Sequence, residues 1–432
     1  MSVVVHRARA VLSPGTPPVA DGAVAVQDGR IAAVGRFDEV VRTSEGAEVH
    51  EWDGALTPGL VNAHTHLQYT DMAAVGRATH TGFESWMSAF MELYPLPRDW
   101  SESAAAGAAL CLRAGTTAVA EIVTDVEAGS AVHAAGLHGI AFWEVLGWTD
   151  SAWRLGGPDT VRAQLSALPT PPAVGLSPHA IYSLDTEVIR DLSRLAAEWG
   201  VRQHIHAAES AWEDAYVRSG TGDLAERWRA NGRGEFALLS SDGVGIGVIP
   251  YLDSLGALAP TTHLAHGIYV DADDRRLLRE RGVSVALCPR SNAVIGLDPP
   301  PVAAYLREGN AIAVGTDSLS SSPSLSLWHD VAALYDLARS QGYAEPDLHA
   351  RLFHAATAGG AHALGLDATD PTGVLQVGAR ADLAVFPIAA SAPEDALAEL
   401  VEAGPAEASL TVVGGTVRWR TPAREERTTA NV

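Results

Sequence analysis

Lysine is absent from this 432-residue chain: all 30 of its basic residues are arginine. No Schiff base, catalytic ammonium or carbamylated lysine is therefore available, which constrains any metal count. Cysteine is almost as scarce, and Cys111 and Cys288 lie far apart in apolar segments, so a disulfide framework is excluded. No uninterrupted apolar run reaches the ~18 residues of a membrane span. The opening "MSVVVHRARAVLS" alternates like a strand and lacks the basic region and long apolar core of a signal peptide. These absences predict a cytoplasmic protein without a membrane partner. Positive charge is also short. With a net charge of -22 and a pI near 5.0, nucleic acid and anionic lipid would meet long-range repulsion. Small molecules are the expected partners, and a homodimer is the default assembly because two-fold oligomers are the commonest.

What the chain does have is apolar content and turns: 47% hydrophobic residues, 41 glycines and 24 prolines fit a globular protein rather than a disordered one. After Thr57, apolar or β-branched runs alternate with Ala/Leu/Arg-rich segments of helical spacing. The runs are "GLVNAH", "TTAVAEIV", "GIAFWEV", "AVGLSPH", "RQHIHAA", "THLAHG", "VSVALCP" and "AIAVGTD". Eight such units predict a (β/α)8 barrel over 57–365. The flanks, 1–56 and 366–423, hold short strands with little helix and predict one small β-sandwich-like domain built from both chain ends, with 424–432 as a tail. The 210–260 connection exceeds a minimal turn and reads either as a substrate-covering excursion or as a solvated helical insertion.

In "LTPGLVNAHTHLQYTD" an apolar run breaks into His64 and His66, which on extended backbone point the same way. The carboxyl ends of barrel strands share one face. That face would collect His64, His66, Glu121, Glu144, His179, His206, Glu209, His266, Asn292 and Asp317. Three imidazoles and a carboxylate make a borderline-soft site for Zn²⁺ or Fe²⁺ with a position left for water. His204 shares its strand face with His206, so residue chemistry alone permits either as the ligand.

The ordered motifs "TPGLVNAHTHL", "HIHAAES", "LAHG", "CPRSNAVIG", "GTDS" and "ADLAVF" span nearly the whole chain. In them the sequence resembles the amidohydrolase superfamily, in its nucleobase and nucleoside deaminase and chlorohydrolase branch. The resemblance implies one divalent metal per chain, Zn²⁺ first and Fe²⁺ second, held by His64, His66, His206 and Asp317. It implies Glu209 as the proton-shuttling carboxylate, His266 beside the metal's water and Asp317 as the acceptor of that water's proton. Binuclear relatives commonly bridge their metals with a carbamylated lysine, so its absence favours a single metal; a bridging Glu121 or Glu144 is the remaining route to two.

For the substrate, His179 aligns with a histidine that purine-type relatives place beside the base. Gln68, Glu144 and Arg290 complete the expected contacts, Glu144 with ribose hydroxyls and Arg290 with a carboxylate, while Phe83 and Trp86 offer apolar surface. The stretch "AAVGRA" departs from the "MxxxRG" of methylthioadenosine and S-adenosylhomocysteine deaminases. Together with "AFWEVLG" it is similar to the branch linked to menaquinone biosynthesis. The expectation is a hydrolytic deaminase taking 6-amino-6-deoxyfutalosine to futalosine and ammonia. The alternatives are deamination of S-adenosylhomocysteine, methylthioadenosine, adenosine or guanine, or hydrolysis or dechlorination of another heterocycle.

Overall fold

Alternating small and branched residues near the N-terminus form four strands in the computed structural model, which describes residues 3–170 and 173–421. These are β1 (Val4–Val11), β2 (Val19–Gln27), β3 (Arg30–Arg36) and β4 (Glu48–Pro58). Asp28 and Gly29, both at positive φ, make the tight turn between β2 and β3. Next come β5 (Leu60–Thr65), β6 (Thr116–Val123), β7 (His138–Val145) and β8 (Ala173–Pro178). They are followed by β9 (Gln203–Ala207), β10 (Thr262–His266), β11 (Ser284–Leu287) and β12 (Ile312–Val314). The chain then returns through β13 (Leu383–Phe386), β14 (Leu410–Val413) and β15 (Thr416–Arg420).

Strands β5 to β12 lie side by side in chain order as one parallel sheet that curls into a barrel. Where β12 meets β5, the Asn62 side chain and a main-chain bond carry the seam. The Asn62 amide donates to Thr316 Oγ1 at 2.7 Å, the Thr316 N–H donates to Asn62 Oδ1 at 3.1 Å, and the Asp317 N–H donates to the His64 carbonyl at 3.0 Å. Only glycine fits at 315, since a Cβ there would lie 2.8 Å from both Cys288 Sγ and His64 Cβ. This seam sets His64 and Asp317 side by side although 253 positions separate them in sequence.

Helices pack outside the barrel by the usual logic of an apolar stripe between caps. Thr186–Trp199 starts on Asp185, buries Val188, Ile189, Leu192, Leu195 and Ala196, and stops at Gly200 in a left-handed conformation. The 210–260 connection holds four short helices, Ala211–Ser219, Asp223–Ala230, Ala237–Ser240 and Val248–Ser254. It is tied to the loop after β8, where the Trp228 indole donates to the Tyr182 carbonyl and the Ala237 N–H donates to Asp185 Oδ1 at 2.8 Å.

Strands from both chain ends merge into one seven-stranded mixed sheet, β15-β14-β13-β4-β1-β2-β3. Its core joins Val24, Ile31 and Leu56 to Leu383, Val385 and Leu410. A helix absent from the sequence reading, Pro393–Ala403, lies between β13 and β14. Its signals are conventional: proline in the first turn, Glu394 and Asp395 beside it, and Gly404 left-handed at the end. The tail at 424–432 lies outside the described residues. Among the described residues no helix is long and apolar enough to cross a membrane.

Candidate metal and active site

His64 on β5, His66 just past its end and His206 on β9 come together, and the β12 seam adds Asp317. Nitrogen or oxygen ligands bound at ~2.0–2.1 Å to one tetrahedral ion stand ~3.3–3.4 Å apart. Here the Nε2 atoms of His66 and His206 are 3.2 Å apart, and Asp317 Oδ1 lies 3.7 Å from His64 Nε2 and 3.9 Å from His66 Nε2. His206 can donate from Nδ1 to the His179 carbonyl at 3.0 Å, which leaves its Nε2 lone pair pointing into the cluster. His64 Nε2 is buried without a protein partner. Burial drives His64 far below the ordinary imidazole value and takes His66 to about 3 and His206 to about 4, so all three are neutral ligands at neutral pH. The donor set and its spacing fit a single divalent ion. His206, not His204, is the histidine of β9 that joins it.

Asp317 is oriented from behind. Ser291 and Ser321 both donate to its Oδ2, at 2.7 and 2.8 Å, and the Ser318 N–H donates to Oδ1 at 2.7 Å. Burial pushes this carboxyl upward, but His66, His266 and the two hydroxyls outweigh it and hold Asp317 below its ordinary value. Ala208, His266 and Asp317 all have positive φ, at 52°, 74° and 59°. For non-glycine residues this costs of order 1 kcal/mol or more each. Ala208 follows β9, His266 ends β10 and Asp317 lies three residues past β12, so all three stand at the carboxyl ends of barrel strands.

Glu209 follows the Ala208 kink and is buried, with its Oε1 3.6 Å from His266 Nε2. Burial raises its carboxyl to about 8, with His206 opposing and Asp317 reinforcing the shift, so it carries a proton at neutral pH. Asn292 lies against His266. The sequence reading passed over Glu213, which is fully buried and accepts the Glu209 N–H at 2.9 Å. It also gave no role to Ser291 and Ser321. The available signal for Glu213 was a second glutamate four residues after the one that ends "HAAE", on the helix that follows; nothing in the sequence marked the serines.

The expected substrate residues divide. His179 and Glu144 lie beside His206, their polar atoms within 4.8 Å of one another. Ser183 gives its hydrogen to the Ala180 carbonyl at 2.9 Å, so it accepts at 2.8 Å from His179 Nδ1–H, leaving His179 Nε2 as an acceptor. Glu144 Oε1 has no partner, and burial, with Asp317 adding to it, raises this carboxyl to about 8. Gln68 is fully buried with its amide spent on Thr124, donating at 2.6 Å to Oγ1 and accepting at 3.0 Å from the N–H. Arg290 stands outside the cluster, its guanidinium donating to Ser324 at 2.9 Å and facing buried Asp330 at 3.6 Å. Phe83 is buried against Trp86, Tyr182 and Trp212, continuing a line of rings from His206 through His179 and Tyr182. Glu121 accepts from the Thr65 hydroxyl and, at 2.9 Å, from the Leu67 N–H, so its carboxylate is occupied away from the metal ligands.

A profile of the Amidohydrolase family matches residues 55–418, and one of a bacterial imidazolonepropionase-like composite domain matches residues 22–43. The chain is 31% identical over 421 residues to a 5-methylthioadenosine/S-adenosylhomocysteine deaminase of Nitratidesulfovibrio vulgaris strain DP4, covering 93% of this chain and 88% of that one. Among solved structures, an adenosine deaminase of Xanthomonas campestris with bound zinc superposes with a TM-score of 0.76 at 25% identity, covering 96% of this chain and 93% of that one. The aminofutalosine deaminase of Helicobacter pylori, in complex with methylthio-coformycin, has a TM-score of 0.82. Its coverage is 96% of this chain and 99% of that one, and at 20% identity it shares the fold.

Proposed function

The chain belongs to the amidohydrolase family, and from that premise we propose that it is a hydrolytic deaminase of adenine nucleosides, with 5′-thio-substituted adenosines as its best substrates. The observation that carries this reading is the 31% identity, over 93% of the chain, to an enzyme named for 5-methylthioadenosine and S-adenosylhomocysteine. It reverses the order expected from "AAVGRA", because the aminofutalosine deaminase is similar in fold at only 20% identity. 6-Amino-6-deoxyfutalosine becomes the second candidate. Zinc is the ion we propose, since the X. campestris protein carries it.

His64, His66, His206 and Asp317 would hold a divalent ion, whose Lewis acidity would lower the pKa of a water when it is bound. The chain's own groups do the rest. Asp317 turns Oδ1 toward the pocket while Ser291 and Ser321 hold Oδ2, which fixes the carboxylate where it can take up a proton from the nucleophile. Glu209, protonated at neutral pH, gives its proton to a ring nitrogen of the amidine, making the carbon more electrophilic, then takes up the remaining proton of the added hydroxyl and passes it to the leaving ammonia, while the proton held by Asp317 returns to solvent and Glu209 is reprotonated. His266 lies close enough to Glu209 to steady the developing charge. His179 Nε2 accepts from a donor on the ligand, and protonated Glu144 reads the ribose or base on the same side.

The test is a comparison of kcat/KM on zinc-loaded protein for methylthioadenosine, S-adenosylhomocysteine, adenosine, 6-amino-6-deoxyfutalosine and guanine, following ammonia release. One of the first two should lead. A lead of more than about tenfold by aminodeoxyfutalosine, equivalent to about 1.4 kcal/mol of transition-state discrimination, overturns the substrate order. No turnover of any adenine nucleoside overturns the class.

A further inference from the structure

Beneath the metal ligands the barrel interior holds two more histidines that the chemistry above does not use, His204 on β9 and His263 on β10, paired across the two strands and fully buried. Small neighbours leave room for them: Ala63, Ala286 and Ala313 form a cluster on the same interior. Protons can be assigned here by donor counting. His263 lies 3.0 Å by Nε2 from the Ala63 carbonyl and 2.9 Å by Nδ1 from Ser284 Oγ. A carbonyl can only accept, so His263 carries its proton on Nε2 and accepts from the serine. Ala63 O is thereby supplied at good distance, and His204 Nε2, 3.4 Å from it, does not have to donate there. The other neighbour of His204 Nε2 is His64 Nδ1, at 3.2 Å with the rings stacked at 4.8 Å. His64 Nε2 faces Asp317 and the other ligand nitrogens and has no protein partner. If that lone pair binds the ion, the proton of neutral His64 must sit on Nδ1, and a proton on His204 Nε2 would collide with it. Among the described residues His204 Nδ1 has no partner, so the tautomer in which Nε2 accepts leaves a buried N–H unpaired, a cost that presenting His64 Nε2 to the ion has to outweigh.

We propose that His204 is a positioning residue for the metal: its Nε2 accepts the Nδ1–H of His64, fixing the tautomer and ring plane in which His64 presents Nε2 to the ion. This also gives the histidine pair on β9 separate tasks, His206 as ligand and His204 as the acceptor beneath a ligand from another strand. Outer partners of this type commonly change metal affinity by ~10–100-fold when removed.

The proposal rests on the metal-site reading, and the test separates the two: if the unsubstituted protein binds no divalent ion, that reading fails before His204 is involved. His204→Phe keeps a ring but removes the acceptor, whereas His204→Gln keeps an oxygen near the Nε2 position. Competition with a chelator for Zn²⁺, and the visible spectrum after Co²⁺ substitution, are measured on both and on the unsubstituted protein. The expected result is at least a tenfold loss of Zn²⁺ affinity and an altered Co²⁺ spectrum in His204→Phe, with affinity within about threefold and a near-normal spectrum in His204→Gln. Melting of the metal-free proteins reports packing apart from the metal. Equal losses in both variants, or unchanged affinity in His204→Phe, overturn the proposal. Should His204→Phe not fold, ¹⁵N shifts of the unsubstituted Zn²⁺ protein decide, because a proton found on His204 Nε2 overturns it and one on Nδ1 supports it.

Discussion

The carboxyl of Glu213, which burial raises to about 8, accepts the backbone N–H of Glu209 at 2.9 Å, so one buried acid holds the main chain that aims another. The bond spans the left-handed Ala208 turn and the start of the Ala211–Ser219 helix. Without it, Glu209 keeps its chemistry and loses its aim. Glu213→Leu should lower kcat by about tenfold or more, since small misplacements of a reacting group are costly. Glu213→Gln, which retains an acceptor, should stay within about threefold of the parent. Steady-state kinetics with the melting temperature of each variant check this; equal loss in both variants would show that the acceptor is not what matters.

The parts of this site that were legible in the sequence are those where residue type and strand period coincide. His64 and His66 at i and i+2 had to share a face, and Glu209 three residues after His206 had to stand past the strand end. Residue chemistry left His204 and His206 interchangeable and only the family resemblance chose His206, because both point inward on β9 and differ only in depth, by two residues or ~6.6 Å along the strand. Depth is a property of the closed barrel. Ser291 and Ser321 were invisible for another reason: a lone neutral hydroxyl has no pattern, whether on the Pro289–Ile295 helix or in the turn after β12, and only the fold brings both onto Asp317. Gln68 illustrates the converse. It lies beside the first metal strand in sequence, yet Thr124 at the end of β6 occupies its amide. The eight barrel strands were readable as apolar runs, whereas the Pro393–Ala403 helix was not, because its buried stripe is short, formed by Ala396, Leu400 and Val401.

Metal content separates the available carboxylates. With no lysine in the chain and Glu121 occupied by Thr65 and Leu67, active protein should contain one divalent ion per chain by elemental analysis. Asp317→Asn and His66→Ala should each reduce turnover by about 10² or more, and dialysis against a chelator should do the same reversibly. A requirement for two ions per active chain would contradict this and direct attention to Glu144.

The pH profile should report Glu209. Its carboxyl is raised by burial to about 8, so the proton-donating form is fully present well below that value and disappears as pH rises through it. For the free enzyme, kcat/KM should therefore fall on an alkaline limb near pH 8. Glu209→Gln should lower the rate by about 10² or more and remove that limb. A limb that persists unchanged in the variant would belong to another group, with Glu144 the next to examine because its carboxyl is raised to a similar value.

Stability of the metal-free protein should depend on pH through the histidines inside the barrel. His263 is fully buried, and burial lowers it from 6.5 to about 4, with the Ala63 and Ser284 contacts opposing the shift and Arg202 adding to it. The folded state thus binds a proton less readily than the unfolded chain. Its contribution is complete above the unfolded value of 6.5 and is lost as pH falls from there through about 4, reaching about 3 kcal/mol by linkage. Urea unfolding of the metal-free protein between pH 7 and pH 4 should show this loss, and His263→Gln, which cannot take up the proton, should flatten part of it at the cost of some stability at pH 7. The remaining slope belongs to the other imidazoles that burial lowers, His6 and His138 among them. An acid slope identical in parent and variant would assign the whole effect to those residues and remove His263 from it.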